Sequence, residues 1–241
     1  MSLKNPMLAH HISSQFNEDL QEVNTKFMSL GGLLEQQVAD AIHALLDANI
    51  TLALEVQEKE NIVNRFETEI DESLTIILAR RHPAAIDLRM VIAMSKANTD
   101  LERIGDESNK IASIAKELCE ADGSTRGFME ARHIGNQVRV MLHEALDAFA
   151  RLDAEQALRV LRADADTDRE YQSATRTLMT YMIEDPRKIS QVIQVLWVLR
   201  SLERIGDHAR NIAEQVIYIV KGFDVRHTSI DEVEQKIHRI D

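Results

Sequence analysis

Cysteine is almost absent from this 241-residue chain: Cys119 stands alone. A single thiol excludes an intrachain disulfide and a cysteine-based zinc site, and it reads as a small buried hydrophobe. Aromatic residues make up only 4% of the chain, with 8 Gly and 3 Pro. Leu, Ile, Ala, Val and Met carry the apolar content instead, which favours an all-helical protein. Positive charge is scarce too, with 28 Lys and Arg against 40 Asp and Glu, for a net charge of −12. That balance argues against nucleic-acid binding and suits cations or a basic partner. Long apolar runs are missing: 195–199 and 216–220 fall far short of the ~20 residues that a membrane span needs. No cationic segment followed by an apolar run is visible near residue 1, so a cytoplasmic protein without a secretory leader is expected.

What is present is a core and a repeat. Hydrophobic residues reach 44%, and a chain of this length buries roughly 70% of its unfolded surface. The stretch Leu101-Glu102-Arg103-Ile104-Gly105-Asp106 returns letter for letter as Leu202-Glu203-Arg204-Ile205-Gly206-Asp207, 101 residues later. A duplication of about 100 residues follows. Around the first copy Leu101, Ile104, Ser108, Ile111, Ala115 and Leu118 step by three and four, the stripe of an amphipathic helix. Leu202, Ile205, Ala209, Ile212 and Val216 repeat it.

Read in order, Phe16, Leu20, Val23, Phe27, Leu30, Leu34, Val38, Ile42 and Leu45 predict a first helix over 11–47, with Ser13 or Ser14 as N-cap if it starts later. The Gly31-Gly32 pair inside it would let a neighbouring helix approach. A second helix is predicted over 51–81, ended by His82-Pro83 because the residue before proline resists the helical region. A third, over 85–120, carries the first copy, and 121–125 reads as a polar linker. Ile134 to Phe149 mark a fourth helix, and Leu158 to Tyr181 a fifth that breaks at Asp185-Pro186. Val192 to Leu199 lead a sixth into the second copy. The expected organisation is all-α: two tandem pseudo-symmetric antiparallel three-helix bundles over 11–121 and 126–223, then a tail or short capping helix over 224–241.

Glu102 and Asp106 sit at i and i+4, and so do Glu203 and Asp207, each pair on one face and away from the apolar stripe. Taken alone, such a pair is a solvated helix face; Glu67–Asp71 and Asp164–Asp168 share the spacing and gain no support from the repeat. Like charges so placed cost a few tenths of a kcal/mol, yet both copies keep them. A cation between the carboxylates removes that cost. Glu102, Asp106, Glu203 and Asp207 are therefore candidate ligands for a divalent or trivalent metal: Mg, Mn, Fe, or Zn with other donors. Neighbouring helices or water would complete each site, with Asn109 and His208 as nearby extras. Gly105 and Gly206 suggest close packing between the helices that carry the two copies. A ferritin-like di-iron centre needs more than the single Glu130-x-x-His133 found here. A hydrolytic or oxidative metal–carboxylate centre is the alternative, without an accompanying base, nucleophile or His-rich ligand set. Arg80, Arg81, His82 and Arg89 cluster at a turn, where helix C-terminal charge or an anion contact would explain them.

Several stretches together resemble the PhoU family of phosphate-transport accessory and regulatory proteins. They are 11–17 (HISSQFN), Gly31-Gly32, Ala79-Arg80-Arg81-His82-Pro83 followed by Asp87-Leu88-Arg89, both Leu-Glu-Arg-Ile-Gly-Asp copies, 178–182 (LMTYM) and Val220-Lys221-Gly222. The resemblance spans nearly the whole chain in order. It implies a pair of three-helix bundles and a non-enzymatic negative regulator of the phosphate-starvation response that also restrains phosphate uptake. It implies two partners, the sensor histidine kinase and the ATPase subunit of the phosphate ABC transporter, with contact to the membrane through them only, and a homodimer. It also places a metal-binding acidic motif on Glu102, Asp106, Glu203 and Asp207. Asp100, whose counterpart is Ser201, is outside that repeated set.

Overall fold

The computed structural model describes residues 14–121 and 128–239; His10-His11, Ser13 and most of the expected linker lie outside that range. Six long helices run α1 (Ser14–Leu46), α2 (Ile50–Arg81), α3 (Ala85–Glu120), α4 (Phe128–Arg151), α5 (Ala154–Glu184) and α6 (Ile189–Lys221), followed by the short α7 (Ile230–Arg239). Among the described residues there is no strand. The all-α expectation holds, and α7 buries Val233 and Ile237 while its Glu234 is 2.6 Å from Arg162 of α5.

Local chemistry sets the turns. Ala48 and Leu152 take positive φ, 51° and 54°, and each is followed by an Asx N-cap. Asn49 accepts from the Leu52 amide of α2, and Asp153 accepts from the Gln156 amide of α5. His82-Pro83 ends α2 with His82 in the left-handed region, and Gly222 closes α6 at φ 79°. Arg89 lies against Gly222, 3.4 Å from where a Cβ would stand, and Arg81 bonds Asp19 of α1. The basic cluster is thus divided between a helix end and an ion pair.

The predicted stripes form one continuous core shared by both halves. Within each half, neighbouring helices run antiparallel. Between halves, α1 packs on α4 through Phe27 and Phe149, whose ring centres are 4.6 Å apart, and α3 packs on α6. Gly31 serves the first seam: a Cβ there would stand 2.8 Å from Leu146, whereas nothing lies within 4 Å of Gly32.

Along the α3–α6 seam, Arg204 reaches Glu107 at 2.8 Å and His208 and Asn211 reach Asp100 at 2.8 and 2.9 Å. Gln194 bonds Glu117 at 3.0 Å. As residue numbers rise on one helix they fall on the other, so α3 and α6 are antiparallel. Gly105 and Gly206 lie near the pseudo-twofold point but not in this seam. A Cβ on Gly105 would meet Val63 and Leu34 at 3.1 and 3.3 Å, and one on Gly206 would meet Met141, Val138 and Thr167. Both glycines face their own bundle, and only at Gly105 would a Cβ crowd it, which corrects the expectation of packing between the two copies. Cys119 is half-buried, its thiol pushed up by burial and by Glu120.

Candidate functional site

Helix α6 brings Glu203 and Asp207 against α5, where Asp164 and Asp168 lie one turn apart. One carboxylate oxygen from each of Asp164, Asp168 and Asp207 falls within 4.8 Å of the others. Glu203 joins them: its charge and those of Asp207, Asp168 and Asp164 act on one another. The result is a notch of four carboxylates on two antiparallel helices.

The notch is costly without a counter-charge. Burial, then Asp207, raise the Glu203 carboxyl to about 7, against the pull of Arg200. Asp164, only 3% exposed, is raised by burial to about 6, opposed by Arg210 and helped by Asp168. Asp207 is raised by burial and by Asp168. Arginines partly compensate. Arg200 donates to Glu203 Oε1 at 2.6 Å, and Arg210 donates to Asp164 at 3.1 Å and Glu214 at 3.2 Å. Glu203 Oε2 is buried with no hydrogen-bond partner. A buried, acceptor-only oxygen amid like charges is what a hard cation would satisfy, so the donor set fits a metal.

The first half builds a related but weaker notch. Glu102 and Asp106 flank Arg103, at 3.4 and 3.8 Å. Burial and Asp106 raise Glu102, and Glu67 of α2 adds to the same shift. Glu67 is itself raised by burial and by Asp71. Asn109 donates to Glu60 in the same way that Arg210 donates to Asp164.

These paired contacts reveal the register. The copies on α3 and α6 are 101 residues apart, but α2 and α5 correspond at 104: Asn49 with Asp153, Val63 with Thr167, Glu60 with Asp164. Asp168 then corresponds to Asn64. The second notch therefore carries a carboxylate where the first carries an amide. Asp164–Asp168 owes its place to the fold and not to the repeat: the matching positions on α2 are Glu60 and Asn64, three residues off the 101-residue period.

The other sequence candidates divide. Asn109 borders the first notch through Glu60. His208 belongs to the α3–α6 seam with Asp100, and it lowers both Glu102 and Asp207 from between the two notches. Glu130 and His133 line a groove between α4 and α5 with Glu170, whose carboxylate is 4.0 Å from His133, whereas the second notch lies between α5 and α6.

Internal duplication, an antiparallel α3–α6 seam and one acidic notch per half define the class: a tandem three-helix-bundle protein with paired carboxylate sites. The PhoU domain model matches residues 27–115 and 131–216, one segment in each half. The phosphate-specific transport system accessory protein PhoU homolog of Pseudomonas aeruginosa is 55% identical over 230 residues, covering 95% of both chains. The PhoU protein of Escherichia coli is 43% identical over 228 residues, 95% of this chain and 94% of its own. A crystal structure of PhoU from Pseudomonas aeruginosa superposes with a TM-score of 0.85 at 56% identity, covering 86% of this chain and 100% of that one. The phosphate transport system regulatory protein PhoU from Streptococcus pneumoniae gives 0.80 at 27% identity over 87% and 99% of the two chains. The chain belongs to the PhoU family.

Proposed function

We propose that this chain is an accessory protein of phosphate-specific transport that holds the phosphate-starvation response off while phosphate is plentiful. In this reading it is a cytoplasmic, non-enzymatic homodimer that couples the sensor histidine kinase to the ATPase subunit of the phosphate ABC transporter and restrains uptake. Its contact with the membrane runs through those partners; no helix among the described residues is long and apolar enough to cross one. Near-full-length similarity to relatives bearing that accessory name is the observation that carries the reading.

The clustered, buried carboxylates support a metal site in each half. Asp164, Asp168, Glu203 and Asp207 would hold a divalent or trivalent cation in the second notch, and Glu102, Asp106 and Glu67 a weaker one in the first. Affinity should follow ligand charge, so the second notch fills first. A bound cation supplies positive charge to a surface whose net charge is otherwise −12. The candidate nucleophile and base near the notch are already engaged: the Thr167 hydroxyl has the Ala163 carbonyl at 3.1 Å and Met141 Sδ at 3.3 Å as acceptors for its one proton, and His208 pairs with Asp100. That supports regulation over a hydrolytic or oxidative centre.

Deleting the gene is expected to switch on alkaline phosphatase in phosphate-rich medium, read as enzyme activity in whole cells. Continued repression would overturn the regulatory reading.

A further inference from the structure

Helix α7 lies along the first turns of α5. Glu234 meets Arg162 at 2.6 Å and His238 meets Glu155 at 3.2 Å, so the two helices run antiparallel. Val233 and Ile237 of α7 are fully buried. Glu155, Leu158 and Arg162 step by three and four along one face of α5. Leu158, only 2% exposed, therefore lies beneath α7. Arg159 stands beside it, and α7 carries Asp231, Glu232 and Glu234 in its first turns. The dock is an apolar spot rimmed by arginines, and it holds a helix that begins with acids.

The first half has the same face, uncovered and with its charges reversed. The offset of 104 that pairs Asn49 with Asp153 also pairs Ala53 with Ala157 and Val56 with Val160, all four of these aliphatic residues being fully buried. Leu54 then matches Leu158, yet it is 42% exposed, and Ile50 one turn earlier is 38% exposed. Glu55 and Glu58 stand where α5 has Arg159 and Arg162. Both are exposed, and among the described residues neither carboxylate has an ion-pair or hydrogen-bond partner. Lys59, beside them, is committed to Asp40 at 2.8 Å. The chain leaves α3 through 121–127 directly into α4, so it has no second helix to lay on α2 as α7 lies on α5.

We propose that the Ile50–Leu54–Glu58 face of α2 receives a basic amphipathic helix from a partner protein, seated as α7 is seated on α5. That helix sets an aliphatic pair at i and i+4 over Leu54 and a lysine or arginine against Glu58. The choice of partners to test rests on the regulatory reading above. The template is internal to the chain: Val233 and Ile237 are the aliphatic pair, and Glu234 beside Val233 reaches the opposite charge on α5. A helix laid by such a pair along an apolar face is a recurrent mode of recognition. The apolar contact supplies the hold, and the exposed ion pair decides which partner fits and in which direction.

Charge selects the occupant. The α7 helix of a second copy, laid here in the same way, would set Glu234 against Glu58, like charge on like. An anionic lipid surface would meet both free acids. A basic helix gains from Glu55 and Glu58 at contact and from the net charge of −12 on approach. Arg65 stands two turns beyond Glu58, outside the stretch that corresponds to the α7 dock.

The test places p-benzoylphenylalanine at position 54 of the whole chain and irradiates it with the purified cytoplasmic part of the kinase and, separately, with the transporter ATPase subunit. One of the two is expected to cross-link, through a helix whose aliphatic i, i+4 pair stands beside a lysine or arginine. In titration calorimetry Leu54→Asp should bind that partner at least about tenfold more weakly. Glu58→Arg should lose about as much and Glu58→Gln less, and these surface changes keep the test decisive if Leu54→Asp folds poorly. Binding that Leu54→Asp and Glu58→Arg both retain overturns the site and leaves the regulatory reading standing. Tighter binding by Glu58→Arg, or a cross-linked segment without lysine or arginine, overturns the basic occupant. A cross-link only between two copies of the chain, or only to phosphatidylglycerol vesicles, overturns the partner protein as occupant. Binding of neither partner overturns the proposal, whereas the regulatory reading falls only if the deletion strain keeps alkaline phosphatase repressed.

Discussion

Glu203→Gln should make the metal-free protein more stable and, at the same time, weaken divalent-cation binding at the second notch by at least about a hundredfold. The two effects have one cause. The Glu203 carboxyl is raised to about 7 because it is buried and faces Asp207 and Asp168, and its Oε2 has no partner. Glutamine keeps the acceptor that Arg200 uses and turns a donor toward the acids, so the repulsion ends. Relief on the order of 1–2 kcal/mol corresponds to a rise of about 2–8 °C in melting temperature for a chain this size. A cation loses a charged ligand, and even groups that merely orient ligands are worth about 10–100-fold in affinity. Calorimetric melting in chelator and isothermal titration with manganese or zinc ions measure the pair. Glu102→Gln should move both quantities less, because Arg103 already stands beside that pair and the first notch lacks a counterpart to Asp168. A Glu203→Gln protein that melts lower and binds metal normally would show the notch to be a structural ion-pair cluster.

The metal-free protein is also expected to lose stability as pH rises through the neutral range, the reverse of ordinary acid unfolding. Folded-state values near 7 for Glu203 and 6 for Asp164 stand above unfolded values of about 4.3 and 3.9. Between about pH 4 and 7 the folded chain therefore holds protons that the unfolded chain has released, and the stability slope is negative there. What these acids contribute is fully present below about pH 4 and is lost as pH climbs through their folded values. At about 1.4 kcal/mol per pH unit, gaps of about 2.7 for Glu203 and about 2.1 for Asp164 correspond to a loss on the order of 6 kcal/mol by pH 8. Asp224, held down to about 2 by hydrogen bonds from Arg226, acts in the opposite sense and only below about pH 4. A cation binds the ionised carboxylates and stabilises more as pH rises. Urea unfolding curves with chelator and with manganese should diverge steadily between about pH 5 and 8. Parallel curves would mean that the acids are not buried together.

Helix identity, order and most boundaries were legible because each stripe repeats at 3.6 residues and the breaks carry Asn-Ile, His-Pro or Asp-Pro signals. The copied hexapeptide disclosed the acids on α3 and α6 because letters are preserved there. The facing acids on α5 were not legible for a physical reason. The helices α2 and α5 keep burial and capping but not letters: Asn49 matches Asp153, Val63 matches Thr167, and Asp168 matches Asn64. A three-residue difference of register between the two helix pairs also hides the match from any fixed-period comparison. The matching N-caps Asn49 and Asp153 were the available signal. His208 does stand near both notches, but its ring meets Asp100 across a seam that no local pattern announces.

Crystals of untagged protein equilibrated with manganese ions and measured at the manganese absorption edge address the centre of this picture. The strongest anomalous peak should fall among Asp164, Asp168, Glu203 and Asp207, with a weaker one near Glu102 and Asp106. Full-occupancy manganese elsewhere, and none between α5 and α6, would contradict it.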